Sequence, residues 1–203
     1  MHRNWRKLPW HLRYRTGVNL ATDIRRLLIR VTHLHARVEF RGPVRLGRGF
    51  SLDIPDHGTF IVGAGVDFRR NFHCEISGDG HVEIGDGPIF TAETLIQCTT
   101  SIIIGKRCAF GQATMIADGN HRYRDPEQHF LEQGYDYQPI TVGNDVMVTT
   151  KCTIINNVGD RAVIGANSVV SKPIPPYCLA VGAPARVVEY FGPPELRPKD
   201  LAI

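Results

Sequence analysis

From residue 46 onward an aliphatic or aromatic residue returns at every sixth position, and the sixes fall in groups of three. Leu46 and Leu52 open the series, followed by Val62, Phe68 and Cys74, by Ile84, Phe90 and Ile96, and by Ile104, Phe110 and Ile116. After a break it resumes as Val142, Val148 and Ile154, then Val158, Ile164 and Val170. A sixfold interval cannot keep one face of a helix with about 3.6 residues per turn. The segments are rich in Val, Ile, Thr and Phe, which suit strands. Four residues after each aliphatic position the side chain is usually small: Val66, Thr94, Thr100, Cys108, Thr114, Val146, Cys152, Val158, Ala162 and Ser168. Three six-residue faces then make one triangular coil, with the large and the small residue both pointing inward. Stacked coils pair their strands in parallel and bury a continuous core. Glycine follows the aliphatic residue in Ile84-Gly85, Ile104-Gly105, Val142-Gly143 and Ile164-Gly165. It is expected there because the chain turns a corner, where positive φ is often needed.

The expected fold is therefore all-β, a parallel β-helix of about six coils between residues 46 and 174. Shifts of phase at 52–62, 74–84, 96–104 and 154–158 fall at corners, where insertions are tolerated. The stretch 117–141 is too long for a corner and reads as an excursion loop of the kind that carries function. Leu20, Ile24, Leu27, Leu28, Val31 and Leu34 recur at helical spacing. Residues 18–35 thus predict an amphipathic helix that covers the open end of the prism with its apolar face. The proline-rich tail after 174 is expected to be extended along a surface or partly disordered. The resulting division is a basic N-terminal segment with a capping helix (1–40), the β-helix (41–174) and a tail (175–203).

Charge is unevenly spread. Residues 1–37 hold nine Arg or Lys against one acid, Asp23, whereas the rest of the chain carries fifteen cations against nineteen acids. The basic segment has three readings: a solvated cap, an interfacial helix drawn to anionic lipid, or a nucleic-acid contact. No interleaved aromatic motif or recognition fold supports the last, and no nucleic-acid partner is expected. The chain has no apolar run long enough to span a bilayer and no recognisable secretory signal, so a cytoplasmic location, with contact at the inner membrane face as a variant, is expected. Its five cysteines form no CxxC pair. They read as buried reduced thiols, with neither a disulfide framework nor a zinc site.

Asp118-Gly119-Asn120-His121 opens the excursion. A neutral imidazole at a strand-to-loop junction can take a proton from a hydroxyl as that hydroxyl attacks a thioester. The runs Ile140–Val146, Ala162–Lys172, Ile174-Pro-Pro-Tyr and Val181–Val187, with Asp-x-x-His before an excursion, resemble the hexapeptide-repeat O-acetyltransferases, in particular the branch that modifies sugars and polysaccharides. The resemblance covers residues ~40–190 and implies a left-handed β-helix. It also implies a homotrimer with active sites between subunits, acetyl-CoA as co-substrate, no required metal, and His121 as general base. The positions matching Val148, Thr149, Ala166, Ser171, Lys172 and Arg186 would contact the donor. Asn71-Phe72 resembles an acceptor-binding pair but lies about one coil too early. Glu93 is the equivalent position one coil nearer the histidine, so Glu93, Asn71 and Asp118 are the acceptor candidates, and Asp118 is also a candidate for orienting the His121 ring.

Two departures from the family pattern stand out. Met147-Val148-Thr149 replaces Trp-Ile-Gly, and Ile155-Asn156-Asn157-Val158 is two residues shorter than the usual corner. The leading expectation is an acyl-CoA-dependent O-acyltransferase, with direct attack and no covalent enzyme intermediate, acting on a hydroxyl of a sugar or surface-glycan precursor. The alternatives are acetylation of an antibiotic or another small alcohol, and a non-catalytic β-helix trimer. A metal site at His121, His129 and His73 lacks a convincing joint spacing.

Overall fold

The computed structural model describes residues 8–199, with side chains described from residue 20 onward. Each turn of chain lays one strand on each of three faces. The first coil is β1 (Arg37–Phe40), β2 (Arg45–Leu46) and β3 (Ser51–Asp53), and the second is β4 (Thr59–Val62), β5 (Asp67–Phe68) and β6 (His73–Ile76). The third is β7 (His81–Ile84), β8 (Ile89–Phe90) and β9 (Leu95–Cys98), and the fourth is β10 (Ser101–Ile104), β11 (Ala109–Phe110) and β12 (Met115–Ala117). An antiparallel hairpin, β13 (Gly119–His121) with β14 (Tyr135–Tyr137), then leaves the prism. Winding resumes with β15 (Ile140–Val142), β16 (Met147–Val148) and β17 (Thr153–Ile154), then with Val158, β18 (Val163–Ile164) and β19 (Val169–Val170). Face A stacks β1-β4-β7-β10-β15, face B β2-β5-β8-β11-β16-β18, and face C β3-β6-β9-β12-β17-β19, all in parallel. This is the expected β-helix.

Every large repeat residue named above is buried. On face B the phenylalanines form a stack: Phe68 and Phe90 lie 5.1 Å apart at 7°, and Phe90 and Phe110 lie 4.8 Å apart at 4°. The small slot is buried throughout except at Thr100, which is half-buried and hydrogen-bonded at a corner. The expectation for the corner glycines needs correction. Positive φ falls three residues after the aliphatic position, at Gly65 and Gly87 but also at Asn71, Glu93, Arg107, Asp145, Lys151 and Asn167. The glycine directly after the aliphatic residue is required by close stacking instead. A Cβ on Gly105 would lie 2.5 Å from the Gly143 carbonyl oxygen of the next coil.

The ends also differ from expectation. The first coil opens at Arg37, before the boundary at 41. The tail is not merely extended: β20 (Cys178–Gly182) continues face B, and β21 (Ala185–Tyr190) folds back on it antiparallel. The helix α1 (Leu8–Thr32) is longer than expected. It covers the free edge of β2, where Leu46 N–H donates to Thr22 Oγ1 (3.1 Å) and Arg25 Nη1 donates to the Leu46 carbonyl (2.8 Å), with Ile29 buried. The side that docks is thus not the apolar stripe. Leu20, Ile24, Leu27, Leu28, Val31 and Leu34 are all exposed. The basic residues Arg3, Arg6 and Lys7 lie outside the described residues, and nothing is described of the Arg13 and Arg15 side chains.

Candidate active site

Face C ends at a corner that leads to face A, and the excursion leaves the prism at this corner of the fourth coil. Outward residues next to the corner form a column, Asp53↔Glu75↔Gln97↔Ala117, set by strand register. Ala117 ends the run with a small side chain, which leaves room beside it. Asp118 then turns inward and is buried. Its carboxylate accepts from the backbone N–H groups of Thr99 (2.9 Å), Thr100 (2.7 Å) and Ser101 (3.0 Å) and from the Thr100 hydroxyl (2.8 Å). Asp118 makes no hydrogen bond to His121; its Oδ2 is taken up by Thr100 and Ser101, while Oδ1 accepts from Thr99 N–H alone, at the wall of a cavity that His121 also lines. It anchors the start of the excursion to the corner of the third coil.

Past Asp118 the chain rises into the hairpin. Gly119 is needed because a Cβ there would lie 2.8 Å from the Tyr137 ring. His121 pairs with Tyr135 in the hairpin, and the two ring centroids are 4.1 Å apart. Phe130, in a short 3-10 turn at Phe130–Glu132, meets the imidazole edge-on at 5.8 Å and 83°. The Arg122–Asp136 ion pair (2.6 Å) closes the strands behind it. Aromatic packing rather than a carboxylate holds this ring. Among the described residues neither ring nitrogen has a protein hydrogen-bond partner.

His121 is exposed and lines two cavities. One, of about 440 Å³, lies toward the third coil and is lined by Glu75, Gln97, Asp118, Asn120, Tyr135 and Tyr137, among others. The other, of about 850 Å³, lies on the other side of the hairpin and includes Arg122, Tyr123, Arg124 and Ile155 of the fifth coil. Glu75 and Gln97 are hydrogen-bonded to each other (3.2 Å). Sequence reasoning missed Glu75, Gln97 and both tyrosines. Register counting reaches the first two, since each follows a core residue of face C directly, but the hairpin pairing that brings in the tyrosines carries no periodic signal.

The expected acceptor residues lie elsewhere. Asn71 and Glu93 are exposed on the corner between faces B and C, at positive φ (57° and 64°). Neither lines a cavity with His121. The neighbouring Phe72 is in the core. The expected donor residues divide in the same way. Val148 is in the core, so its side chain cannot meet a ligand. Thr149 is half-buried on face B, where its hydroxyl donates to the Ile164 carbonyl (2.7 Å). Threonine thus replaces glycine by capping the next coil, as Thr91 does toward Phe110 (2.9 Å). Ala166 is exposed on the same corner as Glu93. Ser171 and Lys172 are exposed on the His121 corner, two coils further along. Arg186 is exposed on β21.

The shortened corner at 155–158 is closed by amide side chains. Asn156 Oδ1 accepts from Asn157 N–H (2.9 Å) and Gln138 Nε2 (3.2 Å), and Asn157 Oδ1 accepts from Thr141 N–H (2.7 Å). All five cysteines are buried. Burial, then the charge of Asp118, pushes the Cys98 thiol up to about 12, and burial pushes Cys108 up to about 11. No activated thiol stands beside His121.

No protein-family model matches the chain. A provisionally named acetyltransferase of Mycobacterium tuberculosis is 27% identical over 165 residues, 80% of this chain and 55% of that one. The galactoside O-acetyltransferase of Escherichia coli is 32% identical over 130 residues, 61% of this chain and 51% of that one. The chain thus spans about half the length of these two relatives. A further Escherichia coli protein, provisionally named a lipopolysaccharide biosynthesis O-acetyl transferase, is 24% identical over 86% of this chain and 88% of its own. Among solved structures, a hexapeptide-repeat acetyltransferase of Vibrio cholerae superposes with a TM-score of 0.52 at 25% identity, covering 71% of this chain and 72% of that one. By repeat, by fold and by sequence, the chain is similar to the hexapeptide-repeat acetyltransferases.

Proposed function

We propose that the chain is a cytoplasmic O-acyltransferase that moves an acetyl group from acetyl-CoA to a hydroxyl of a sugar or surface-glycan precursor, with His121 as general base. The observation that carries this reading is the His121 ring, fixed by Tyr135 and Phe130, open to two cavities and free of protein hydrogen bonds. In this reading the acceptor occupies the cavity with Glu75, Gln97 and Asn120, whose polar groups suit hydroxyls. The thioester approaches from the side of Ile155 and the later coils. His121 takes the hydroxyl proton as the oxygen attacks the thioester carbonyl. The C–O bond forms, the C–S bond breaks, and the proton passes to the departing thiolate. The absence of an activated thiol near His121 supports direct transfer.

Ser171 and Lys172 share the histidine's corner and suit the phosphate end of the donor, with Arg186 as a further cation. Thr149, Ala166, Glu93 and Asn71 lie a full face away. They join the site only if a second copy presents them, which is how a homotrimer with sites between subunits would use them. Similarity to the galactoside and lipopolysaccharide enzymes supports a glycan acceptor. The alternative, a free small alcohol such as an antibiotic, is separated by an acceptor panel. The test is thiol release from acetyl-CoA with each acceptor, by wild type and His121→Ala. Release that needs a glycan acceptor and His121 supports the reading, whereas preference for small drug-like alcohols overturns the glycan assignment.

A further inference from the structure

The docked and free sides of α1 are opposite one another. Thr22 and Ile29 are 4 and 8% exposed against the first coil, whereas Leu20, Ile24, Leu27, Leu28 and Val31 are 51–64% exposed. At about 100° per residue these five fall on one stripe, centred opposite Ile29. The stripe follows a free heptad rhythm, with Ile24 and Val31 alternating with Leu20 and Leu27. That rhythm also suits a helix of a second copy. Charge decides against this. The first 37 residues carry nine Arg or Lys and one acid, so helices from two copies laid side by side would repel. An apolar stripe within a strongly cationic segment matches a surface that is apolar below and anionic above.

We propose that the N-terminal end of the β-helix sits on an anionic phospholipid bilayer, with α1 lying in the interface and its Leu20–Val31 stripe buried among the acyl chains. The prism stands on this end because the opposite side of α1 is pinned to β2 by Thr22, Arg25 and Ile29. Arg30 is exposed at the same end and faces headgroup phosphates, while Arg37 pairs with Glu39 (3.2 Å) and Arg26 lies 5.3 Å over the Phe40 ring. Three strand spacings of about 4.8 Å separate β3 from β12, which sets the His121 corner about 14 Å further along the axis. This inference does not depend on the acyl-transfer reading.

The test is flotation of the full chain with vesicles of phosphatidylcholine alone and with about 30% phosphatidylglycerol added. Binding to the anionic vesicles only, weakened at least about tenfold between 0.1 and 0.5 M salt, is expected. The double variant L27E/V31E should lose vesicle binding at least about tenfold while keeping the wild-type melting temperature, because both side chains are exposed. Sedimentation of the same pair reads the rival occupant. The proposal is overturned if wild type fails to float with anionic vesicles, or if L27E/V31E keeps full vesicle binding. It is equally overturned if the variant lowers the oligomeric order of a wild type that does not bind vesicles.

Discussion

A buried carboxylate that accepts three backbone N–H bonds and a hydroxyl is held by its own corner before any ligand arrives. Asp118 and His121 sit three positions apart and look in sequence like one functional pair, yet burial separates their roles. The first is a structural anchor, and the second is open to ligand. Replacing Asp118 with alanine leaves half-buried donors at Thr99, Thr100 and Ser101 without their acceptor, so Asp118→Ala should cost about 2 kcal/mol and lower the melting temperature by several degrees. Calorimetry that finds no loss would remove its anchoring role. The same contrast shows what is legible at this scale. The DGNH tetrapeptide marks the corner where the excursion leaves the prism, but the direction in which Asp118 points depends on three amides nearly twenty residues earlier. Thr149 is likewise unreadable alone, since the Ile164 carbonyl that it caps comes from the next coil.

Among elements, the coils were legible and their partners were not. Seventeen repeat positions read from spacing are all buried, because a sixfold period with alternating side chains admits few other solutions. The glycines were read correctly as corner residues but for the wrong cause, since positive φ belongs to the position two residues later and the glycine yields to the coil stacked on it. Helix α1 was found by its apolar spacing, but the stripe was turned to the wrong side. Spacing identifies a stripe without identifying what covers it. The docked side uses Thr22, Arg25 and Ile29, which keep helical spacing but include one apolar residue among three, so no hydrophobic pattern marks them. Ile29→Ala should therefore destabilise the protein by about 2 kcal/mol, while changes on the exposed stripe leave stability within about 0.5 kcal/mol. Equal losses from both would mean that the stripe is packed after all. The hairpin was expected only as a long excursion, and its pairing, which supplies Tyr135 and Tyr137, rests on contacts too local and too few to leave a pattern.

At the scale of the whole molecule, one narrow prism buries five thiols and carries the His121 cavities on one of its three corners. Burial raises Cys98 to about 12 and Cys108 to about 11, from an ordinary thiol value of 9.0. The folded state therefore holds these protons more tightly than the unfolded chain does. The resulting stability is fully present below pH 9 and is lost as pH climbs through the folded values toward 12. Melting temperature should fall steeply from pH 9 to pH 11, and the variant C98A/C108A should show a shallower slope over that window. Identical slopes would contradict the assignment.

The candidate residues divide between two corners, His121 with Ser171 and Lys172 on one, Glu93 with Thr149 and Ala166 on another, and hexad register already separates them, since the first set follows Ile116 and Val170 of face C and the second follows Phe90, Val148 and Ile164 of face B. Acyl transfer itself is tested most directly by continuous detection of thiol released from acetyl-CoA, with and without a glycan acceptor, by wild type and His121→Ala at matched folding. The expected result is release that requires acceptor and falls at least about a hundredfold in the variant. Near-wild-type release from His121→Ala would contradict the role of His121 and the reaction built on it.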